Sequence, residues 1–212
     1  DAYEAEGIVS TGGSPKWKDH VPQRNAEVVE RLTAAGATVF GKTNVPNLSG
    51  DWQTYNEIFG VTNNPWDQTK TPGGSSGGAA AAVAAGLTPL EVGSDIGGSI
   101  RIPAHFCGIY GHKPSYGLIP MRGHLPPPPG SLSENDTITV AGPLARSAAD
   151  LEIALSVLAG PRTSEGKGWQ LNLPPARHQQ IKDFRIAIWP DDGFCPVETA
   201  MADAIQEMAN QL

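Results

Sequence analysis

Two glycine-rich turns constrain this chain more than anything else in it: Gly73-Gly74-Ser75-Ser76-Gly77-Gly78 and Gly97-Gly98-Ser99-Ile100-Arg101. Each sets a serine on a turn, and each leads into a segment that reads as helix. Glycines before Ser99 let the backbone bend until successive N–H groups point at one spot. A serine hydroxyl becomes a nucleophile only when a neighbour takes its proton and fixed donors hold the resulting oxyanion. The pattern therefore suits an oxyanion hole, and the small-residue run after the first turn (residues 77–85, closed by Gly86) suits a helix packed at a crowded centre.

The rest of the chain gives those turns a scaffold. At 212 residues it can bury one sizeable core, and nothing in its length demands two domains. Residues 25–35 put Val28, Val29 and Leu32 on one helical face and end at Gly36. Residues 37–40 read as a short strand, 44–72 as mostly loop, and 89–93 as a strand running into the second turn. Ser147 with Asp150 three positions later opens another helix, whose face is Leu151, Ala154, Leu155 and Leu158; Gly160-Pro161 stops it. Four prolines after Leu125 predict an extended surface loop, residues 163–180 an exposed polar excursion, 184–189 a strand and 196–212 a helix. Strands separated by helices give an α/β class: layered helices around a mixed, largely buried sheet.

Charge and composition remove several functions. Fifteen basic against 22 acidic residues leave −7, which argues against a surface built for phosphate backbones. No apolar run is long enough to span a bilayer, and no signal-peptide pattern opens the chain, so the expected location is the cytoplasm. Cys107 reads as a buried free thiol, and Cys195 pairs with no motif. The five histidines do not cluster in H-x-x-x-H or H-E-x-x-H, so neither a metal nor any other cofactor is expected. The chain starts at Asp1 without Met and stops at Leu212 within an amphipathic pattern, so a partial domain over 1–212 is the expectation.

Rivals to acyl transfer exist. Gly73-Gly74-Ser75-Ser76-Gly77 satisfies G-x-S-x-G, but that elbow must follow a strand, and here a Pro- and Asn-punctuated stretch precedes it. Glycine turns at helix starts also cradle phosphates, yet neither G-x-x-x-x-G-K-[ST] nor G-x-G-x-x-G after a strand is present. On the residues alone, phosphate binding, acyl transfer and two flexible loops all stay open.

The longer string closes that choice. Thr71-Pro-Gly-Gly-Ser-Ser-Gly-Gly, then Gly93-Ser-Asp-Ile-Gly-Gly-Ser-Ile-Arg-Ile-Pro-Ala-His-Phe-Cys-Gly, resembles the signature of the amidase signature family. Gly41-Lys-Thr-Asn-Val-Pro, Asn64-Pro-Trp, Gly111-His-Lys-Pro-Ser and Gly142-Pro-Leu-Ala-Arg-Ser agree with it. The resemblance implies Ser99 as nucleophile and Ser75, after a cis peptide bond, as the bridge that passes its proton to a neutral lysine. It implies backbone N–H groups of Ile96, Gly97, Gly98 and Ser99 as the oxyanion hole, with Asp95 and Arg101 bracing the turns and Ser76 bonding within its turn. Aligned this way, the relay lysine falls one place before Asp1; Lys42 and Lys113 match structural positions. His105 is the rival base, six residues past Ser99, but the family pattern puts an amine at the second serine. The implied function is a carboxamide hydrolase acting on a small-molecule amide, with no nucleic acid and no membrane, and with a homodimer left open. The alternatives are a glutamine-hydrolysing amidotransferase subunit or a catalytically inactive scaffold. Asn47-Leu48 departs from the acidic or glutamine residue of many relatives and leaves amine-side specificity open.

Overall fold

The computed structural model describes residues 1–131 and 138–212, which fall into two compact units, Asp1–Leu171 and Asn172–Leu212. The first unit holds helices α1 (Glu27–Ala34), α2 (Gly77–Ala84), α3 (Arg101–Cys107) and α4 (Ala148–Leu158). Its strands are β1 (Tyr55–Asn56), β2 (Gly60–Val61), β3 (Leu90–Asp95), β4 (Tyr110–Gly111) and β5 (Val140–Ala145). Strands β1 and β2 make a hairpin, and the central sheet runs β3-β5-β4, antiparallel throughout. In β3 and β5 Leu90 faces Ala145 and Asp95 faces Val140, so the strand entering the second glycine turn is paired along its whole length.

The sheet is buried on both faces. Tyr3, Ala26, Val28, Val92, Ile119, Met121, Ala141, Ala154 and Leu158 form one apolar cluster, which joins α1 and α4 to the sheet. Ala79, Ala80, Ile100, Ala104, Cys107 and Leu144 form a second, which joins α2 and α3 to it. Ala141 and Leu144 differ in strand parity, so the two clusters lie on opposite faces of β5. This is the layered α/β architecture that the alternation of elements predicts, with antiparallel rather than parallel ladders among the described residues.

The helices begin and end for local reasons. Helix α4 starts where the Ser147 hydroxyl accepts from the Asp150 N–H at 3.1 Å and donates to its carboxylate at 2.7 Å. Helix α3 stops at Gly108, whose φ of +66° is the left-handed C-cap conformation. The glycines opening α2 serve close approach: a β-carbon on Gly77 would strike the Thr54 side chain, and one on Gly78 the Asn44 main chain.

Three sequence expectations differ from the structure. Residues 37–40 and 184–189 carry no ladder in the described residues, because an extended run becomes a strand only beside a partner for its N–H and C=O groups. Strand β5 went unpredicted: Gly142-Pro143 interrupts its pattern, and proline donates nothing to a ladder. It is nonetheless central and wholly buried. The proline stretch is not simply on the surface, since Leu125 is buried with Ala2 and Val45 against Trp17.

The second unit contains a short turn at Ile181–Asp183 and helix α5 (Thr199–Gln211), with no buried residue. No helix among the described residues is long and apolar enough to cross a membrane.

Candidate active site

Ser75 and Ser99 lie on the two turns at the ends of buried elements, Ser75 just ahead of α2 and Ser99 between β3 and α3. The turns are fastened together through the main chain, where the Ser76 N–H donates to the Ser99 carbonyl at 3.1 Å. The peptide bond from Gly74 to Ser75 is cis. Ser75 is 1% and Ser99 5% exposed, so both hydroxyls sit in the protein rather than on it. No direct hydrogen bond joins the two hydroxyls; hydrogen bonds within ligand-free sites are often long and tighten when a ligand binds.

Ser76 does not bond within its own turn as the resemblance implies, but reaches across to the β3 main chain. Its hydroxyl accepts from the Ser94 N–H at 3.2 Å and donates to the Ser94 carbonyl at 3.4 Å. Gly93 makes room for it, because a β-carbon there would sit 2.6 Å from the Ser76 oxygen and 2.8 Å from Leu144 Cδ1.

Asp95 organises the Ser99 turn. Its carboxylate accepts from the N–H groups of Gly98 (2.9 Å), Ile100 (3.1 Å) and Arg101 (3.3 Å). It also accepts both Nε (3.0 Å) and Nη2 (2.9 Å) of the Arg101 guanidinium, the bidentate geometry that favours arginine. Burial pulls the Asp95 carboxyl up, but the guanidinium and the three amides outweigh it and hold the group below the ordinary carboxylate range. The same network takes the Gly98 N–H, one of the four predicted oxyanion donors. The N–H groups of Ile96, Gly97 and Ser99 have no acceptor among the described residues and are free for a ligand.

No local pattern in the sequence marks the residues that hold the first turn. The Thr54 hydroxyl donates to the Gly73 carbonyl at 2.8 Å. A β-carbon on Gly74 would come within 2.8 Å of the Asp51 oxygen and the Trp52 carbonyl carbon, so only glycine lets the 51–53 loop lie against this turn. Gly73, at φ +82°, needs the left-handed conformation as well.

Lys42 is half-buried in the first unit and donates to the Tyr3 carbonyl; desolvation pushes its pKa down to about 8. It makes no hydrogen bond to either serine. Tyr3 in turn donates its hydroxyl to the Gly93 carbonyl at 2.8 Å, which ties this region to β3 behind Ser76. An open cavity of about 390 Å³ lies beside Lys42, Asn44 and Phe59, and neither serine lines it. His105 and His112 make no hydrogen bond to Ser99. Cys107 is buried and free, its thiol pushed up to about 11 by burial, which makes it an inert packing group.

A sequence profile of the Amidase family matches residues 1–212. The chain belongs to that family, the amidase signature enzymes. It is 37% identical over 215 residues to a glutamyl-tRNA(Gln) amidotransferase subunit from Saccharolobus solfataricus, a match covering 100% of this chain and 44% of the relative. The crystal structure of the same subunit from Thermotoga maritima superposes with a TM-score of 0.69 at 33% identity, over 76% of this chain and 34% of the other. A bacterial aryl acylamidase of the amidase signature family superposes at 0.68 with 30% identity, over 81% of this chain and 34% of the other. The chain thus spans less than half the length of the relatives it matches.

Proposed function

We propose that this chain carries the acyl-transfer core of a carboxamide hydrolase. Ser99 Oγ attacks the amide carbonyl carbon, and its proton passes through Ser75 Oγ to a neutral lysine amine. The C–N bond breaks, and the leaving nitrogen takes the proton back along the same path. Water then attacks the ester, gives its proton to the relay, and releases the carboxylic acid with Ser99 restored. The N–H groups of Ile96, Gly97 and Ser99 hold the oxyanion; losing one such donor costs about 3 kcal/mol of barrier. Gly98 serves the hole indirectly, through Asp95. Asp95, Arg101 and Ser76 position the turns and do not touch the substrate.

The observation that carries this reading is the bond from the Ser76 N–H to the Ser99 carbonyl, which supports a proton bridge beside the nucleophile. A small carboxamide is the substrate, handled in the cytoplasm without a cofactor; two free cysteines suit a reducing compartment. The test is release of ammonia or amine from simple amides by the protein carrying this chain. Ser99→Ala abolishes turnover, and Ser75→Ala lowers kcat by orders of magnitude. Turnover that survives Ser99→Ala contradicts the reading.

A second reading is a glutamine-hydrolysing amidotransferase subunit, favoured by the name of the relatives at 37% identity. Glutaminase activity that rises when a synthetase partner is added separates it from a stand-alone amidase. An inactive scaffold is the third, and it predicts no covalent labelling of Ser99 by an acylating or phosphonylating probe.

A further inference from the structure

We propose that Thr54 is a positioning residue of the proton relay: its side chain, held by the β1–β2 hairpin, fixes the turn that carries Ser75. The inference rests on Ser99 as nucleophile and Ser75 as proton bridge, and it starts from what holds the Ser75 hydroxyl in place.

That is the main chain alone. Ser75 is 1% exposed, and its hydroxyl has no hydrogen-bond partner among the described residues. A side chain with no bond of its own points where its backbone aims it. The nearest fixed points of that backbone lie one residue after Ser75 and two before it. After it, the Ser76 N–H donates to the Ser99 carbonyl at 3.1 Å. Before it, the Gly73 carbonyl accepts from the Thr54 hydroxyl at 2.8 Å. The Ser75 turn is slung between those two bonds.

Thr54 meets the turn on both sides of Ser75. Besides its bond to Gly73, it fills the space beside Gly77, where a β-carbon would lie 2.2 Å from Thr54 Oγ1 and 3.0 Å from its Cβ. Thr54 is 1% exposed, and the hairpin fixes it. Its carbonyl accepts from the Thr62 N–H at 2.9 Å, and the next residues pair Tyr55 with Val61 and Asn56 with Gly60. Asn56 anchors the hairpin in turn. Its buried amide donates to the Asn44 side-chain oxygen at 2.6 Å and the Val45 carbonyl at 2.8 Å. Its oxygen accepts from the N–H groups of Ile58 (2.9 Å) and Phe59 (2.8 Å), so every polar site of the amide is used. The Asn44 main chain also lies against the start of α2, where a β-carbon on Gly78 would come 2.3 Å from its carbonyl oxygen. Hairpin and anchor thus bear on Gly73, Gly77 and Gly78, which bracket Ser75.

Proton transfer is what makes this contact count. A bridging hydroxyl must stay within hydrogen-bond distance of two partners at once, and a misplacement of about 1 Å can cost 10²-fold in rate. Without the Thr54 donor the buried Gly73 carbonyl is left unpaired, and the turn shifts toward any other donor it can reach. That shift falls on Ser75 first. It reaches Ser99 through Ser75, so the effect of Thr54 on the nucleophile vanishes when the Ser75 hydroxyl is absent.

The experiment is a double-mutant cycle on the rate at which a fluorophosphonate labels Ser99 in the protein carrying this chain. Thr54→Val keeps the volume, removes the donor and is expected to slow labelling about tenfold. Thr54→Ser keeps the donor and is expected to stay within about threefold of wild type. In a Ser75→Ala background, Thr54→Val is expected to change the rate by less than about twofold, because the group it positions is gone. The same loss in both backgrounds overturns the proposal and makes Thr54 a support of the fold. So does a Thr54→Val protein that labels like wild type, or a Thr54→Ser protein as slow as Thr54→Val. If Thr54→Val does not fold, Thr54→Ala, which also leaves Gly73 unpaired, goes through the same cycle. Exchange of the Ser76 amide hydrogen gives an independent readout, faster in Thr54→Val and not in Thr54→Ser. If the wild-type protein takes up no label, the nucleophile reading fails by itself, while faster Ser76 exchange in Thr54→Val still supports Thr54 as the residue that holds the turn and unchanged exchange rejects it.

Discussion

Asp95 does more for this site than its single charge suggests, because five donors converge on one buried carboxylate. Its pKa is held below the ordinary 3.8. Its contribution to stability is therefore complete above about pH 4 and is lost as pH falls through the folded value. Asp95→Asn is expected to melt earlier than wild type at neutral pH and to converge with it in acid; parallel curves would contradict this. Lys42 works in the opposite sense. Between its folded value of about 8 and the ordinary 10.5, the unfolded chain binds the extra proton, so stability rises with pH across that window. The rise is worth on the order of 3 kcal/mol, and Lys42→Met is expected to flatten it in denaturant titrations run from pH 7 to 10.5. Both serines and both members of the Asp95–Arg101 pair were legible as residues, since they stand inside a long signature. Lys42 was legible as a structural position but not its bond to the Tyr3 carbonyl, and Thr54 was not legible at all, because each acts on a backbone carbonyl 19 to 39 positions away that no local pattern records.

Among the elements, those with their own punctuation were readable and those that depend on a partner were not. Helix α4 announced itself through Ser147, Asp150 and Gly160. Ser147→Ala is expected to cost about 1 kcal/mol, measured by chemical denaturation, with the site chemistry untouched. Helix α2 was visible as a small-residue run between glycines. Strand β5 was hidden by Gly142 and Pro143, which the structure uses for proximity: a β-carbon on Gly142 would collide with the His112 carbonyl, and the Pro143 carbonyl accepts from the His112 N–H at 3.0 Å. Residues 37–40 have strand composition, but a ladder is a property of two segments, and composition names only one.

On the scale of the molecule, every apolar cluster among the described residues belongs to the first unit, and none includes a described residue beyond Ala159. A chain ending at Leu171 is expected to keep the melting transition of the 212-residue protein within a few degrees. A peptide of residues 172–212 is expected to show little helix by circular dichroism, since a 13-residue helix with no buried side chain is marginal in water. The layered class followed from the alternation of elements. The antiparallel sheet order did not, because β5 was unseen and it supplies the centre of that sheet.

All of the proposed chemistry depends on Ser99 Oγ being the atom that forms the covalent bond. Treatment with a fluorophosphonate, followed by trypsin and fragmentation of the peptide spanning residues 71–101, assigns the adduct to one serine. Modification of Ser99 alone, slowed in Ser75→Ala and abolished in Ser99→Ala, is the predicted result. An adduct on Ser75 or Ser76, or a folded protein carrying this chain that takes up none, would contradict it.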